Sequence, residues 1–309
     1  MLEPICPICS SPDVSPRCSL RDRRRGLEGE WRLWLCTKCS VLFQHPMPTF
    51  VELQQYYADY SSGGELASKP SLGSRRDLLR RLYHGITGDV DPRDFINLTA
   101  GLRMLDYGCG PAPYLSYFHS RGARISGAEI EPAMVATCRA VGFDVALIDS
   151  PDRIPFPDGE FDLVYLMQVI EHVPTPHRLF QELRRILRSS GAVHLAMPNG
   201  NSTWRKVFGT HWVAGWFTPF HLFVYNLRSI QVLANAHGFE VIRAWSSTPE
   251  SWLRLNLKAW LLPDDNRLDT RGPTWLDLLP VRMSLSVILR LAEQALRERD
   301  CLVVTLTKC

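Results

Sequence analysis

Arg103-Met-Leu-Asp-Tyr-Gly-Cys-Gly-Pro-Ala-Pro-Tyr-Leu115 is followed by Ile125-Ser-Gly-Ala-Glu129. A short apolar run ends in an acid, Asp106, and Gly-x-Gly follows. After a helix-like segment, a second apolar run ends in another acid, Glu129. That order describes a strand, a tight turn, a helix and a second strand, with a nucleotide-type cofactor at the tip of a parallel sheet. Gly108 and Gly110 let the backbone turn sharply and come close to a ligand. Glu129 lies 19 residues beyond Gly110, about where such units place the acid that receives ribose hydroxyls.

Working outward, short apolar runs alternate with amphipathic segments, which argues for an α/β, doubly wound sheet with crossover helices. Candidate strands are 104–107, 124–128, 144–148, 162–166, 192–196, 239–244 and 302–306. A helix is expected after the fourth strand, with Thr175 as its cap, Pro176 at its first position and Leu179, Leu183 and Leu187 along one face. Another is expected from Asn226 to His237, ended by Gly238. Between the sixth and seventh strands lies a Trp- and Leu-rich insertion, 246–300, read as packing on the sheet or as a lid. Membrane-surface or dimer contact is its sharper alternative.

Residues 1–48 form a separate small unit. Cys6-Pro-Ile-Cys9 and Cys36-Thr-Lys-Cys39 are two Cys-x-x-Cys knuckles separated by 26 residues, and four thiolates make a closed structural zinc site. A unit this small needs such a staple. Cys18 fits neither knuckle and reads as a spare thiol. Arg21-Asp-Arg-Arg-Arg25 reads as a solvated basic loop. Residues 61–74 read as a Ser/Gly/Pro-rich linker and 75–86 as a capping helix.

The chain resembles the class I S-adenosylmethionine-dependent methyltransferases, from about Leu102 to Lys308. Five phrases carry the resemblance in order: Leu105-Asp-Tyr-Gly-Cys-Gly110 with Gly127-Ala-Glu129; Ile154-Pro-Phe-Pro-Asp-Gly-Glu-Phe-Asp-Leu-Val164; Val169-Ile-Glu-His-Val173; Leu183-Arg-Arg-Ile-Leu-Arg-Ser-Ser-Gly191; and Met197-Pro-Asn199. It implies a mostly parallel seven-stranded, Rossmann-like sheet whose last strand returns antiparallel. The head also resembles the zinc-ribbon-like heads of bacterial members, with Val41-Leu-Phe-Gln-His-Pro-Met-Pro48 and then Tyr56, Tyr57 and Tyr60. One departure stands in the cofactor loop: Ala112 occupies a place where the family usually has glycine, between Pro111 and Pro113.

The resemblance implies S-adenosylmethionine as cofactor, with Asp106, Gly108 and Gly110 around its methionine end, Glu129 on both ribose hydroxyls, and Asp149, assisted by Ser150, near adenine. Gln168, Glu171 and His172 fall on the rim where substrate meets cofactor. His172 is the candidate general base, because imidazole titrates near neutral pH, and His221 is the fallback. The aromatic stretch 210–225, with His211 and Tyr225, reads as a substrate wall or as buried packing. Methyl transfer needs positioning and a base, and the cofactor brings its own electrophile, so no metal is required for it.

The 309 residues suit one large domain and a small module, divided as head 1–48, linker and capping helices 49–95, and main domain 96–309. A net charge of +3 does not argue for nucleic acid, and no stretch approaches the ~20 apolar residues that span a bilayer. The N-terminus lacks a secretory pattern, so the expected compartment is the cytoplasm, where nine cysteines serve as ligands and buried thiols. The leading expectation is methyl transfer to a small-molecule or glycan-type acceptor, with oligomeric state and methylated atom left open. A dinucleotide-dependent oxidoreductase is the runner-up, weakened because Pro113 replaces the third glycine of Gly-x-Gly-x-x-Gly. A non-catalytic scaffold is the third reading.

Overall fold

A computed structural model describes residues 4–61, 96, 99, 101–149, 153–262, 268 and 273–309. The linker beyond Ser61, the helix expected at 75–86, Ser150 and the side chains of Tyr57 and Tyr60 lie outside the described residues.

In the head, β1 (Val14–Leu20) and β2 (Trp31–Cys36) pair antiparallel, and β3 (Leu42–Gln44) extends the pair. Helix α1 (Phe50–Ser61) follows. Its start is a reciprocal box, in which the Thr49 amide donates to Glu52 Oε2 at 2.7 Å and the Glu52 amide to Thr49 Oγ1 at 3.2 Å.

The body then runs β4 (Arg103–Tyr107), α2 (Pro113–His119), β5 (Arg124–Glu129), α3 (Pro132–Ala140), β6 (Val145–Leu147), β7 (Phe161–Met167), a 3-10 turn (Ile170–His172), α4 (Pro176–Ile186) and β8 (Leu187–Pro198). After it come the short helices α5 (Thr203–Phe208) and α6 (Val213–Trp216), β9 (Phe223–Val224), α7 (Leu227–Ala236), β10 (Phe239–Ser247), α8 (Glu250–Leu261), α9 (Leu279–Ala295) and β11 (Cys301–Lys308). The main sheet has seven strands in the order β10-β11-β8-β7-β4-β5-β6. β8, β7, β4, β5 and β6 run parallel, and β11 is antiparallel to both β8 and β10. β7 sits mid-sheet with helices over both faces, which is why its sequence is an almost unbroken apolar run.

Each strand expected from the sequence is present, with shifted ends. β8 begins at Leu187, so α4 stops one residue before the last leucine of the expected apolar stripe. Thr175 stands at the N-cap of α4, but its side chain makes no capping bond there. Asn226 does cap α7, in a capping box with Ser229.

The head is not free-standing. β9, from the body, is the fourth strand of the head's sheet, with Leu42 opposite Val224 and Phe43 opposite Phe223. The Gln44 amide donates to the Leu222 carbonyl at 2.8 Å, and Asn226 Nδ2 donates to the Ser40 carbonyl at 2.5 Å. The loop at 21–25 also departs from expectation. Asp22 and Arg23 are buried, because the Asp22 carboxylate collects the amides of Arg24, Arg25 and Leu27. Arg23 donates to the carbonyls of Ala259 and Leu262, and the Arg24 guanidinium lies 3.9 Å from the Phe217 ring centre. Docking on α8 and the aromatic segment thus replaces solvation.

In the insertion, Leu253 of α8 and Leu289 of α9 close an apolar cluster around Trp212 and Trp216. Trp260, Leu278, Ile288 and Leu291 remain exposed on the outer side. No helix among the described residues is long and apolar enough to cross a membrane.

Candidate active site

The glycine turn leaves the carboxyl end of β4 beside that of β5, and the strand order reverses between β4 and β7, the place where open α/β sheets bind their ligands. Gly108 has φ 76°, and a Cβ there would sit 2.6 Å from Val169 Cγ2, so only glycine lets the turn pass the segment after β7. Gly110 has φ 50° with no heavy atom within 4 Å of an added Cβ, so the turn opens onto space at that point. Ala112 takes the left-handed conformation glycine would have, φ 62° and ψ 34°, at the N-cap of α2. That costs about 1–2 kcal/mol for an L-residue, and burial of its methyl group recovers on the order of 0.8 kcal/mol. The loop geometry therefore survives the departure from glycine.

Asp106, the penultimate residue of β4, is almost fully buried, and its Oδ2 has no hydrogen-bond partner. Burial, and then the charge of Glu129, push its carboxyl up to about 8. Glu129 is engaged differently from the sequence expectation. Its Oε2 accepts from the Gly110 amide at 2.8 Å, and its Oε1 accepts from Ile130 at 2.7 Å and Glu131 at 3.1 Å. A carboxylate has about four lone-pair sites, so room remains for one further donor rather than two. Glu131, just before Pro132, caps α3, its side chain accepting from the Ala133 amide. Asp149 lies exposed two residues past β6, beside the Glu129 strand end, where the Ile148 amide donates to the Glu129 carbonyl. Gln168 has φ 55°, and its amide points to Cys301 Sγ at 3.5 Å, toward β11.

The state of Asp106 gives a pH signature. The unfolded chain loses this proton near pH 4, whereas the folded chain keeps it until about 8, so the unfolded state binds fewer protons in between and stability falls as pH rises through that window. Asp106→Asn should flatten part of the decline between pH 5 and 8 in calorimetric melting. Parallel curves for the two proteins would remove Asp106 from the account.

The 3-10 turn after β7 presents Glu171 and His172, and the aromatic segment presents His221. The His172 and His221 rings lie edge to face, 4.7 Å between centres. His172 Nδ1 donates to the Phe220 carbonyl at 2.9 Å, and His221 Nδ1 to the Gly215 carbonyl at 2.7 Å. His221 Nε2 is 3.9 Å from Glu171 Oε1. Burial depresses His172 to about 4, with the charge of Arg24 adding to it, and holds His221 well below its usual range, helped by His172. Burial pushes Glu171 up to about 8. The Glu171–His221 contact is therefore a neutral pair at pH 7, not an ion pair. Val169, which packs on Gly108, accepts the His172 amide, so this cluster lies one turn from the glycine loop.

The structure brings Asp106, Gly108, Gly110 and Glu129 together at one strand end, and His172 with His221 beside it. His211 is not in that cluster, and Trp212, Phe220 and Tyr225 are core rather than an open wall. Tyr56 packs edge-on to Phe220 at 6.2 Å. Sequence reasoning placed Glu171 on the rim beside His172 but gave it no chemical task, and its pairing with His221, fifty residues away, has no local signal beyond the Glu-His dipeptide.

In the head, Cys6 Sγ lies 3.6 Å from Cys39 Sγ, and Cys9 Sγ lies 3.5 Å from Cys36 Sγ. All four sulfurs fall within 4.8 Å of one another. A tetrahedral zinc with bonds of about 2.3 Å separates its sulfurs by about 3.8 Å, so the cage fits. The knuckles repeat one turn: the Ser10 amide bonds the Cys6 carbonyl and the Ser40 amide the Cys36 carbonyl, with φ 54° and 63° at the two serines. Cys18 stands apart, packed at the edge of the insertion cluster.

A family model described as a methyltransferase domain matches residues 75–244, just over half of the chain. Among curated proteins, the chain is 30% identical over 108 residues to the ubiquinone biosynthesis O-methyltransferase of Pseudomonas aeruginosa (strain UCBPP-PA14), covering 33% of this chain and 47% of that one. It is 26% identical over 146 residues to the trans-aconitate 2-methyltransferase of Escherichia coli O7:K1, covering 44% and 52%. The chain thus spans about half the length of these relatives. Among solved structures, it is similar to geranyl diphosphate C-methyltransferase from Streptomyces coelicolor A3(2), with a TM-score of 0.52 and 14% identity over 85% of this chain and all of that one. That likeness is one of fold.

Proposed function

We propose that the chain, which belongs to the methyltransferase-domain family, transfers a methyl group from S-adenosylmethionine to a small-molecule acceptor, glycan-type acceptors included. The observation that carries the reading is the buried Asp106 carboxyl, with an unpartnered oxygen, on the strand that leads into the glycine turn. When bound, the cofactor supplies an electrophilic sulfonium methyl. Asp106, Gly108 and Gly110 hold its methionine end, Glu129 accepts one ribose hydroxyl, and Asp149 serves the adenine side. Ser150 and Gln168 complete the proposed set. The two relatives, named for ubiquinone biosynthesis and for trans-aconitate, support an acceptor of small-molecule size.

His172 orients and prepares the acceptor, with His221 behind it. Each ring gives its Nδ1 hydrogen to a carbonyl, which leaves the lone pair on Nε2. Cys6, Cys9, Cys36 and Cys39 hold one structural zinc. In this reading residues 1–48 frame the acceptor mouth, 49–95 link, and 96–309 carry the reaction.

Calorimetric titration separates the readings. S-adenosylmethionine should bind and nicotinamide dinucleotide should not; the reverse result would mean an oxidoreductase, and binding of neither a scaffold. Glu129→Ala should weaken S-adenosylmethionine by about 2–4 kcal/mol, through the lost hydroxyl bond and the loosened Gly110 amide. An unchanged affinity would remove Glu129 from the cofactor site.

A further inference from the structure

We infer that Glu171, His172 and His221 form a second metal site, which takes a divalent cation through two imidazoles and one carboxylate and presents it to an oxygen of the acceptor. The inference takes the acceptor end of the site from the function proposed above. The cation itself was not expected, since methyl transfer has no general need of one.

The carboxylate is the first ground. Glu171 is fully buried, and both its oxygens lack a hydrogen-bond partner. A buried carboxyl without donors loses its hydration and gains nothing in return. Its backbone is committed elsewhere, because the Glu171 carbonyl accepts the Leu222 amide at 2.8 Å. That bond fixes the backbone from which the side chain reaches toward His221.

The histidines are the second ground. A backbone carbonyl can only accept, so the bonds to Phe220 and Gly215 place the ring hydrogen on Nδ1 in both rings. Nε2 is then the basic nitrogen of each neutral ring. An outer nitrogen bonded to a carbonyl is the arrangement that orients metal-ligating histidines. One donor atom from each of the three residues lies within 4.8 Å of the others. Donors around a tetrahedral ion at about 2.1 Å stand about 3.4 Å apart. The 3.9 Å between His221 Nε2 and Glu171 Oε1 needs only a small side-chain rotation to close.

Three ligands leave coordination positions open, unlike the four thiolates of the head. Hard and borderline ions such as Mn2+ and Zn2+ match this donor set. Charge then narrows the acceptor. A divalent cation held by one carboxylate and two neutral imidazoles keeps a net positive charge. The site suits an acceptor that reacts as an oxyanion: a phenol, an enol or a carboxylic acid. Its O–H proton passes to water, and the electron pair stays on the oxygen that faces the cation.

The test uses the full chain with its head loaded with zinc. Mn2+ is titrated and free ion is followed by electron paramagnetic resonance, with Zn2+ in a parallel calorimetric run. One further cation per chain should bind. Glu171→Gln and His221→Asn should each weaken it at least about 10-fold, with the zinc of the head retained. Absence of saturable binding beyond the four-cysteine ion overturns the site without recourse to any variant, as does binding that Glu171→Gln leaves unchanged. S-adenosylmethionine affinity in the same preparation reads the proposed function separately. Cofactor binding without the second cation defeats only this inference, and the second cation without cofactor binding defeats only the function.

Discussion

Cys36→Ser should release the zinc of the head and damage a site far from it in sequence. Elemental analysis of the wild type should give about one ion per chain for the four-thiolate cage when it is purified without added metal. The variant should give close to none. Apparent binding energies of structural zinc are large, about 10–16 kcal/mol in small zinc domains, and that energy is folding energy. Leu20, Leu33 and Leu42 of the head pack with Trp212 and Trp216 of the body, so loss of the cage should loosen the knuckle end of the sheet first. Damage should then travel along a physical route. β3 pairs with β9, the Gln44 amide holds the Leu222 carbonyl, and the Leu222 amide holds the Glu171 carbonyl. Loss of the head loosens the turn that carries Glu171 and His172. The melting temperature should fall by roughly 10 °C or more, since 1 kcal/mol moves domains of 150–250 residues by about 2–4 °C. Cys18→Ser should do neither, because Cys18 lies on β1, outside the cage. Full zinc occupancy in Cys36→Ser would reject the ligand set.

The glycine loop and the seven strands were legible for a physical reason. Central parallel strands are buried on both faces, so they appear as apolar runs such as Phe161–Met167, and the turn between strand and helix demands glycines at Gly108 and Gly110. The cysteine knuckles were legible because both are local and share one turn. Features that depend on long-range pairing were not. β9 is two residues long, and nothing in Phe223 and Val224 says that they pair with strand β3, some 180 residues earlier. The basic loop read as solvated because its composition is polar, but Asp22 ties up its amides and Arg23 finds carbonyls on α8. The aromatic segment left substrate wall and buried packing both open, because density of rings is visible in sequence and burial is not. Glu129 was placed correctly at its strand end, while its three amide partners follow from loop geometry that spacing does not encode.

His172→Ala should lower turnover by roughly 100-fold or more, as losses of acid–base machinery usually do. S-adenosylmethionine affinity should stay within about 2-fold, because the proposed cofactor residues Asp106, Gly110 and Glu129 belong to β4, β5 and their loops, whereas His172 belongs to the turn after β7. The effect should be on kcat more than on KM, since deprotonation of the acceptor is needed in the transition state and not for binding. Whether the ring takes the proton itself or holds the cation that makes the proton acidic, removing it leaves the acceptor oxygen protonated at the moment of attack. The cation titration separates those two roles. Imidazole added back to His172→Ala should restore part of the rate in either case, by filling the space of the lost ring. His172→Ala at the wild-type rate would transfer the role to His221, whose ring lies edge to face with it, 4.7 Å between centres. Wild-type rates in both single variants and in the double variant would mean that positioning alone carries the reaction.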